Sequence, residues 1–160
     1  MGFGTGHHAT TRMCLRLLST LDIADHTVLD LGTGSGVLSM AAALMGARSV
    51  LGLDVDRDAI ESAESSAQLN TLLDTIGFRV ADFRVEVPAP ADVVLANLTG
   101  GMLTSTAEVI SSLVRPGGRL ILSGFDATEV DRVRAAFARF NEISCLTEDN
   151  WNALLLAALL

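Results

Sequence analysis

Short apolar runs alternate with amphipathic stretches along most of this chain. Apolar runs predict strands at residues 27–31, 49–54, 92–96 and 119–123, and a less apolar run predicts another at 75–81. Within these runs apolar residues follow one another without polar alternation. That pattern is typical of parallel strands whose sheet is covered on both faces.

Between the runs, apolar residues recur at helical spacing and predict helices that pack against a sheet. Asp56 is a suitable N-cap for one helix, which we expect to span residues 57–73. The segment Arg-Pro-Gly-Gly at 115–118 predicts the end of another helix. The apolar stripes are Cys14, Leu17, Leu18 and Leu21; Ala59, Ala63 and Ala67; Leu103, Ala107, Ile110 and Val114; and Val130, Val133, Phe137 and Phe140.

Sustained alternation of strands and helices implies βαβ units, and therefore an α/β fold with a doubly wound, mostly parallel sheet and helices on both faces. After Phe140 the rhythm changes, and residues 142–146 and 151–159 predict two strands joined by a polar turn at 147–150. We expect this antiparallel hairpin to close one edge of a seven-stranded sheet. The whole chain, residues 1–160, is then predicted to be a single domain.

Length and composition agree with one domain that has a hydrophobic core. A chain of 160 residues, 49% of them apolar, is long enough to hide about two-thirds of its surface on folding. The net charge is −8, and the 11 basic residues are all Arg, scattered without a basic run. Because phosphate binding depends on clustered Lys and Arg, we expect no nucleic-acid partner.

The sequence disfavours several other kinds of protein and site. No apolar run reaches the ~20 residues of a membrane span, and the first residues lack the pattern of a signal peptide. We therefore expect no membrane partner and a cytoplasmic location. Cys14 and Cys145 lie in apolar sequence and are expected to be reduced, buried thiols, too few for a zinc site. No metal and no particular oligomeric state are predicted.

The strand at 27–31 leads into a glycine-rich loop that carries Gly32, Gly34 and Gly36, and a helix follows. Glycine at alternate positions permits a tight turn and close approach of a ligand to the backbone. The first N–H groups of the following helix point at such a ligand, and open α/β sheets bind ligands at this edge. Alternatively, the glycines only form a tight turn between strand and helix.

Acidic residues near this loop narrow the class of ligand. A dinucleotide fingerprint requires a third glycine where Val37 stands, and a phosphate-binding P-loop requires a Lys that this chain lacks. Asp30 lies just before the loop and is a candidate ligand contact. Asp54 ends the next strand and can accept hydrogen bonds from both hydroxyls of a ribose, or serve as a solvated or helix-capping carboxylate. Asp82, beside Phe83, offers an acceptor for an adenine amino group, or is a plain loop residue.

Taken together, several segments resemble class I S-adenosylmethionine-dependent methyltransferases and, more narrowly, the catalytic domain of the ribosomal protein L11 methyltransferases. The glycine loop indicates only the superfamily, whereas the opening segment is the specific element. The segments are GFGTGHHATT at 2–11, VLDLGTGSG at 28–36, GLDVD at 52–56, ADVVLANL at 91–98 and LSG at 122–124.

The resemblance implies a Rossmann-like methyltransferase fold, S-adenosylmethionine as cofactor and S-adenosylhomocysteine as product. It also implies N-methylation of a protein amino group, on a substrate such as ribosomal protein L11. By resemblance, the cofactor contacts are Thr11, Gly32, Asp54 and Asn97. By the same resemblance Thr5, Gly6 and His8 belong to a loop that packs over the methionine moiety and the active site.

Catalytic candidates follow from the chemistry of amine methylation. Asn97 is expected to orient an amine or the methionyl end of the cofactor, and His8 either shuttles a proton or shapes the loop through a hydrogen bond. The family continues after the Asn with Ile-Leu or Leu-Leu, but this chain has Leu98-Thr99, which puts the substrate wall in question. Alternative functions are a small-molecule methyltransferase and a cofactor-binding module that is inactive without a partner domain.

The chain begins inside the opening segment, whereas family members carry an N-terminal substrate-recognition domain before it. We therefore expect residues 1–160 to be one S-adenosylmethionine-binding domain without that recognition domain, and excision from a longer enzyme is the favoured explanation. On either explanation, the protein substrate cannot be identified from these residues.

Overall fold

One seven-stranded sheet organises the computed structural model, which describes residues 8–72 and 74–160. The strands are β1 Thr27–Leu31, β2 Ser49–Asp54, β3 Ile76–Val80, β4 Ala91–Asn97, β5 Val114–Asp126, β6 Asn141–Glu148 and β7 Trp151–Ala157. The helices are α1 Ala9–Ser19, α2 Val37–Leu44, α3 Arg57–Leu69, α4 Gly100–Ser105, α5 Ala107–Ser112 and α6 Val130–Ala136. In this part of the chain, no helix is both long and apolar enough to cross a bilayer.

The order of strands across the sheet is β3-β2-β1-β4-β5-β7-β6. Strands β1 to β5 pair in parallel, and β7 pairs antiparallel with both β5 and β6. The predicted doubly wound sheet and its C-terminal antiparallel hairpin are thus confirmed. The order reverses between β1 and β4, and the carboxyl ends of strands on either side of such a reversal leave a crevice for ligands.

The central strands are apolar throughout because both faces of the sheet are covered. Along β1, Val28 belongs to the hydrophobic cluster on one face and Leu29 to the cluster on the other. Along β4, Val94 and Leu95 divide in the same way. Successive side chains of a strand point to opposite faces, so an uninterrupted apolar run is what two cores require.

Helix α3 begins where the sequence predicts but ends earlier. The Asp56 side chain accepts a hydrogen bond from the N–H of Asp58 at 2.9 Å and caps the helix as expected. The helix ends at Leu69 rather than near 73 because the Asn70 amide bonds back to a carbonyl of the last turn and Thr71 takes a left-handed φ of 57°. Left-handed backbone cannot continue a right-handed helix.

The apolar stripe from Leu103 to Val114 forms two short helices and the start of a strand, not the single helix that its spacing suggests. Thr106 separates the helices, since its φ is −112° and its hydroxyl donates to the Met102 carbonyl at 2.6 Å. The expectation that 115–118 ends a helix is wrong, because these residues belong to β5. There the β4–β5 register shifts, so the Pro-Gly-Gly segment bulges out of the ladder.

The hairpin turn is shorter than predicted. Asp149 and Asn150 alone connect β6 to β7, with φ of 49° and 71°. Asn and Asp tolerate this left-handed backbone, which two-residue hairpin turns require. Cys14 is buried as expected, but Cys145 is exposed because β6 is the edge strand and has no neighbour on its outer side.

Phe125 lies near the carboxyl end of β5, and its substitution tests the hydrophobic core at that end of the sheet. Its side chain is 0% exposed. We expect Phe125→Ala to lower the free energy of unfolding by about 3–5 kcal/mol, since it removes a buried ring and leaves a cavity. Val85, 79% exposed, supplies the control, and Val85→Ala should stay within about 0.5 kcal/mol of the wild type in denaturant titrations. Equal losses in the two variants would contradict the assignment of the core.

Candidate functional site

A cavity of ≈ 540 Å³ lies at the carboxyl ends of the parallel strands. This volume is within the range of small-ligand sites. Its wall is formed by the loops that follow β1 to β4, by the starts of α3 and α4 and by Gly124 of β5, and so it spans the point where the strand order reverses. The lining includes Gly32, Gly34, Asp54, Asp82, Phe83, Asn97, Leu98, Thr99, Met102 and Gly124.

The glycine loop forms the centre of this wall. Gly32, Gly34 and Gly36 have φ of 68°, 56° and 82°, a region that glycine adopts without strain. A Cβ on Gly32 would also lie 2.6 Å from the Leu98 side chain. Gly32 and Gly34 line the cavity, whereas Gly36 caps α2 and packs on Ala63. The loop is therefore both a tight turn and a ligand-facing surface.

Asp54 extends from the end of β2 toward the glycine loop. One of its carboxylate oxygens accepts the N–H of Gly34 at 2.9 Å, and the other accepts the N–H of Asp56 at 3.0 Å. Asp56, and not Asp54, caps α3. Each carboxylate oxygen has a second lone pair. The side chain is thus held by two backbone donors while it keeps the capacity to accept hydrogen bonds from a ligand.

Asp82 lies beyond the end of β3, with Phe83 buried beside it. Its carboxylate accepts the N–H of Arg84 at 2.9 Å and two guanidinium N–H groups of the same residue at 2.8 and 2.9 Å. These hydrogen bonds from Arg84 lower the pKa of Asp82. Asp82 lines the cavity, but its carboxylate is already shared with an arginine.

Asp30 lies beneath the glycine loop rather than in the large cavity. It is 1% exposed, and one carboxylate oxygen accepts the hydroxyls of Thr33 at 2.8 Å and Ser39 at 2.7 Å. Burial raises its pKa to about 6, while the bonds from Ser39 and Thr33 oppose that shift and the charge of Asp54 adds to it. The sequence analysis did not single out Thr33 or Ser39, although a buried acid followed by two hydroxyl residues was a visible signal.

A second cavity, of ≈ 30 Å³, adjoins the first. Gly32 and Asn97 line both cavities, and Thr11 and Asp30 line only the small one. Thr11 is 1% exposed, and its hydroxyl oxygen has no hydrogen-bond partner within the described structure. A buried polar atom without a partner costs about 1–3 kcal/mol. Ser111 Oγ and Asn152 Nδ2 are in the same state but line neither of these two cavities, whereas the Thr11 hydroxyl lies at the small one and can bond a polar ligand atom there.

Asn97 ends β4 between the two cavities, and the backbone after it is held tightly. The N–H of Leu98 donates to the Ser123 carbonyl at 2.9 Å. Gly124 has a φ of 101°, and a Cβ there would overlap the Leu98 carbonyl. The Thr99 hydroxyl then caps α4 by accepting the N–H of Met102 at 3.2 Å. The residues that depart from the family pattern thus form a defined wall, to which Met102 adds an apolar side chain absent from the predicted site.

His8 lines neither cavity. Its Nδ1 lies 2.7 Å from the Thr10 hydroxyl and accepts the Thr10 N–H at 3.4 Å, so the imidazole caps α1. Its ring packs on Trp151. Both roles given to His8 from the sequence, the proton shuttle and the hydrogen bond that shapes the loop, stay predictions. The predicted contacts Thr5 and Gly6 lie outside the described residues.

The sequence matches one family of known proteins over nearly its whole length. The family model described as "Ribosomal protein L11 methyltransferase (PrmA)" matches residues 1–158. A ribosomal protein L11 methyltransferase from Azotobacter vinelandii is 41% identical over 157 residues, which cover 94% of this chain and 52% of that protein. One from Pseudomonas putida is 43% identical over 154 residues, with the same coverage of 94% and 52%. The chain therefore spans about half the length of the curated relatives it matches.

Solved structures show the same fold. The ribosomal protein L11 methylase of Lactobacillus delbrueckii subsp. bulgaricus superposes with a TM-score of 0.90 and 27% identity, covering 97% of this chain and 81% of that one. An RNA methyltransferase from Salinibacter ruber in complex with S-adenosylhomocysteine gives a TM-score of 0.77 at 18% identity, covering 95% and 94%. At that identity the second likeness bears on the fold alone.

The raised pKa of Asp30 predicts an unusual dependence of stability on pH. The contribution of Asp30 to the free energy of unfolding is greatest below about pH 4, where its carboxyl is protonated in both states, and it falls as pH rises through about 6. The loss by pH 7.5 should be about 3 kcal/mol, because the buried carboxylate must then be charged. Denaturant titrations from pH 4 to 7.5 measure it.

Two variants isolate this effect. Asp30→Asn should abolish the decline between pH 4 and 7.5, whereas Asp74→Asn, which removes an exposed charge, should keep it. Asp82, Asp92 and Asp126 have lowered pKa values and so act in the opposite direction, below about pH 4. A decline that persists in Asp30→Asn would contradict the assignment.

Proposed function

The chain belongs to the ribosomal protein L11 methyltransferase family, and on that premise we propose that it binds S-adenosylmethionine and supports methyl transfer to a protein amino group. The observation that carries the proposal is a pair of adjoining cavities that share Gly32 and Asn97, with an anchored acceptor, Asp54, in the large one and an unpartnered buried hydroxyl, Thr11, in the small one. In this proposal residues 1–160 act as the cofactor-binding catalytic domain.

The residues at the β2 and β3 end of the cavity fit the adenosine half of this cofactor. Asp54 keeps free acceptor capacity for the two ribose hydroxyls, because each of its oxygens accepts one backbone N–H. Phe83 offers an apolar surface beside Asp82, which suits a base with an exocyclic amine. The bonds from Arg84 leave Asp82 the weaker of the two acceptors.

The residues at the β1 and β4 end fit the methionyl half. Thr11, Asp30 and Asn97 surround the small cavity with a hydroxyl, a carboxylate and an amide, which can bind an ammonium and a carboxylate group. The negative charge of Asp30 favours a cationic group nearby, and such a group in turn favours the ionised carboxylate. Without Cβ atoms, Gly32 and Gly34 leave the loop backbone accessible between the two halves.

When bound, the cofactor supplies a sulfonium methyl group that a neutral amine can displace, so the protein's tasks are alignment and electrostatics. Asn97 is suited to hold the amine, since its side-chain oxygen can accept an amine N–H. Leu98, Thr99 and Met102 exclude water on the substrate side. His8 is assigned to the start of α1, and proton loss from the amine is assigned to solvent.

For the substrate we propose an amino group of a basic protein, and ribosomal protein L11 is the named substrate of the relatives. The net charge of −8 favours the approach of such a protein and disfavours nucleic acid. This proposal places the reaction in the cytoplasm, where ribosomes work. A second candidate, a cofactor-binding module that needs a partner domain for activity, is favoured by the half-length match to the relatives.

Asp54→Asn tests the proposed ribose contact. Loss of the charge should raise the Kd for S-adenosylhomocysteine at least about tenfold, because hydrogen bonds to a carboxylate are worth about 1.5–3 kcal/mol. Calorimetry at pH 7.5 measures the Kd. Asp74 precedes β3, at the amino ends of the parallel strands and so away from the cavity. Asp74→Asn removes an equal charge there and should leave the Kd unchanged. An unchanged Kd in Asp54→Asn would show that this carboxylate does not bind the ribose.

A transfer assay tests the class of substrate. The chain is incubated with S-adenosylmethionine that carries a labelled methyl group, in one reaction with ribosomal proteins and in another with a metabolite pool. We expect label in the ribosomal proteins and none in the metabolites. The chain contains no Lys, so self-methylation can label only its N-terminal amine. Asp54→Asn supplies the inactive control. Label confined to metabolites would overturn the protein substrate, and cofactor binding with no transfer would favour the module that needs a partner.

A further inference from the structure

The first turn of α1 is tied to the turn of the β6–β7 hairpin by an ion pair. The guanidinium of Arg12 bonds the carboxylate of Glu148 through Nε at 2.7 Å and through Nη2 at 2.6 Å. The same Nη2 lies 3.6 Å from a carboxylate oxygen of Asp149. Glu148 ends β6 and Asp149 begins the turn, so the contact joins two segments that are far apart in sequence.

A ring contact joins the same two segments. The imidazole of His8 packs on the indole of Trp151, with centroids 5.6 Å apart and planes inclined at 55°. His8 and Arg12 are four residues apart and lie on one face of the helix. Trp151 begins β7 directly after the hairpin turn. The hairpin therefore contacts both ends of one helical turn.

Thr11 lies inside this turn. Its side chain is buried against the small cavity, where Asp30 and Asn97 are its neighbours along the wall. The remainder of α1 is held by its own buried residues, such as Cys14 and Leu18, in the core. The first turn is buried as well, since Ala9 is 5% and Thr10 1% exposed, and the hairpin contacts add a polar restraint at this end of the helix.

We propose that Glu148 is a positioning residue: through Arg12 it fixes the first turn of α1 and so places the Thr11 hydroxyl for the methionyl half of the cofactor. This inference rests on the proposed function. The pair is partly exposed, with side chains 39% and 29% accessible, and such pairs add little to global stability. Loss of Glu148 should therefore change ligand affinity more than it changes the fold.

The chain offers a closely matched control on the same strand. Glu142 bonds Arg134 of α6 at 2.8 and 3.1 Å, with side chains 36% and 41% accessible. This pair also joins a β6 carboxylate to a helical arginine, but it lies at the other end of β6, away from the cavity. Glu142→Gln therefore removes a similar ion pair without touching α1.

The experiment compares two ligands that differ only at the methionyl end. S-Adenosylhomocysteine carries the amino-acid moiety, and 5′-methylthioadenosine lacks it. Glu148→Gln should raise the calorimetric Kd of S-adenosylhomocysteine about fivefold and leave that of methylthioadenosine unchanged, and Glu142→Gln should change neither. The exchanged variant Arg12→Glu/Glu148→Arg should recover most of the affinity. Emission of Trp151, the one tryptophan of the chain, reports whether each variant keeps the hairpin.

The outcomes separate this inference from the proposed function. If the wild type binds both ligands but Glu148→Gln matches Glu142→Gln, the positioning role is overturned and cofactor binding stands. Equal weakening for the two ligands would also overturn it, because a general loss of structure would affect both. If the wild type binds neither ligand, the proposed function fails, and this inference fails with it.

Discussion

Burial of both faces of the central strands is the constraint on which the rest of this structure depends. A strand between two hydrophobic cores can carry almost no polar side chain along its length, because each buried polar group needs a partner. Polar residues are therefore confined to strand ends, as Asp54 and Asn97 are. Since the strands are parallel, their carboxyl ends lie at the same edge of the sheet. The packing of the two cores therefore brings the polar side chains together at that edge.

Asp30 and Ser123 are exceptions, and each is partnered: the Ser123 hydroxyl donates to the Asn152 carbonyl, and the surroundings of Asp30 supply hydroxyl donors. Asp30 belongs to β1 and is buried, and the hydroxyls of Thr33 and Ser39 satisfy one of its oxygens. Burial still raises its pKa to about 6, so the folded protein holds a carboxylate there at neutral pH at a cost in stability. A cationic group bound near the glycine loop would offset this cost, because a nearby positive charge stabilises the ionised carboxylate.

Elements whose signal lies in a few consecutive residues could be predicted from the sequence, whereas features that depend on contacts with other segments could not. The bounds of β1 and β2 follow from continuous apolar runs, and the cap of α3 follows from Asp56 alone. The break at Thr106 and the bulge in β5 depend on a back-bonded hydroxyl and on the β4–β5 register, which no periodicity shows. The exposure of Cys145 likewise depends on strand order.

The candidate site likewise contains residues that motifs identify and contacts that no motif shows, and the difference follows from the direction of the strands. Gly32, Asp54 and Asn97 were identified from motifs because they lie at the carboxyl ends of parallel strands, and all three line the large cavity. The contacts to α1 come instead from the antiparallel hairpin, whose contribution no motif records. Because β7 runs antiparallel to β5, its first residue Trp151 pairs with Asp126 at the carboxyl edge of the sheet. A parallel β7 would begin at the amino edge, and its first residue would lie far from α1's first turn. The reversed direction of β7 thus brings the hairpin turn to the edge at which the carboxyl ends of the five parallel strands carry their polar residues.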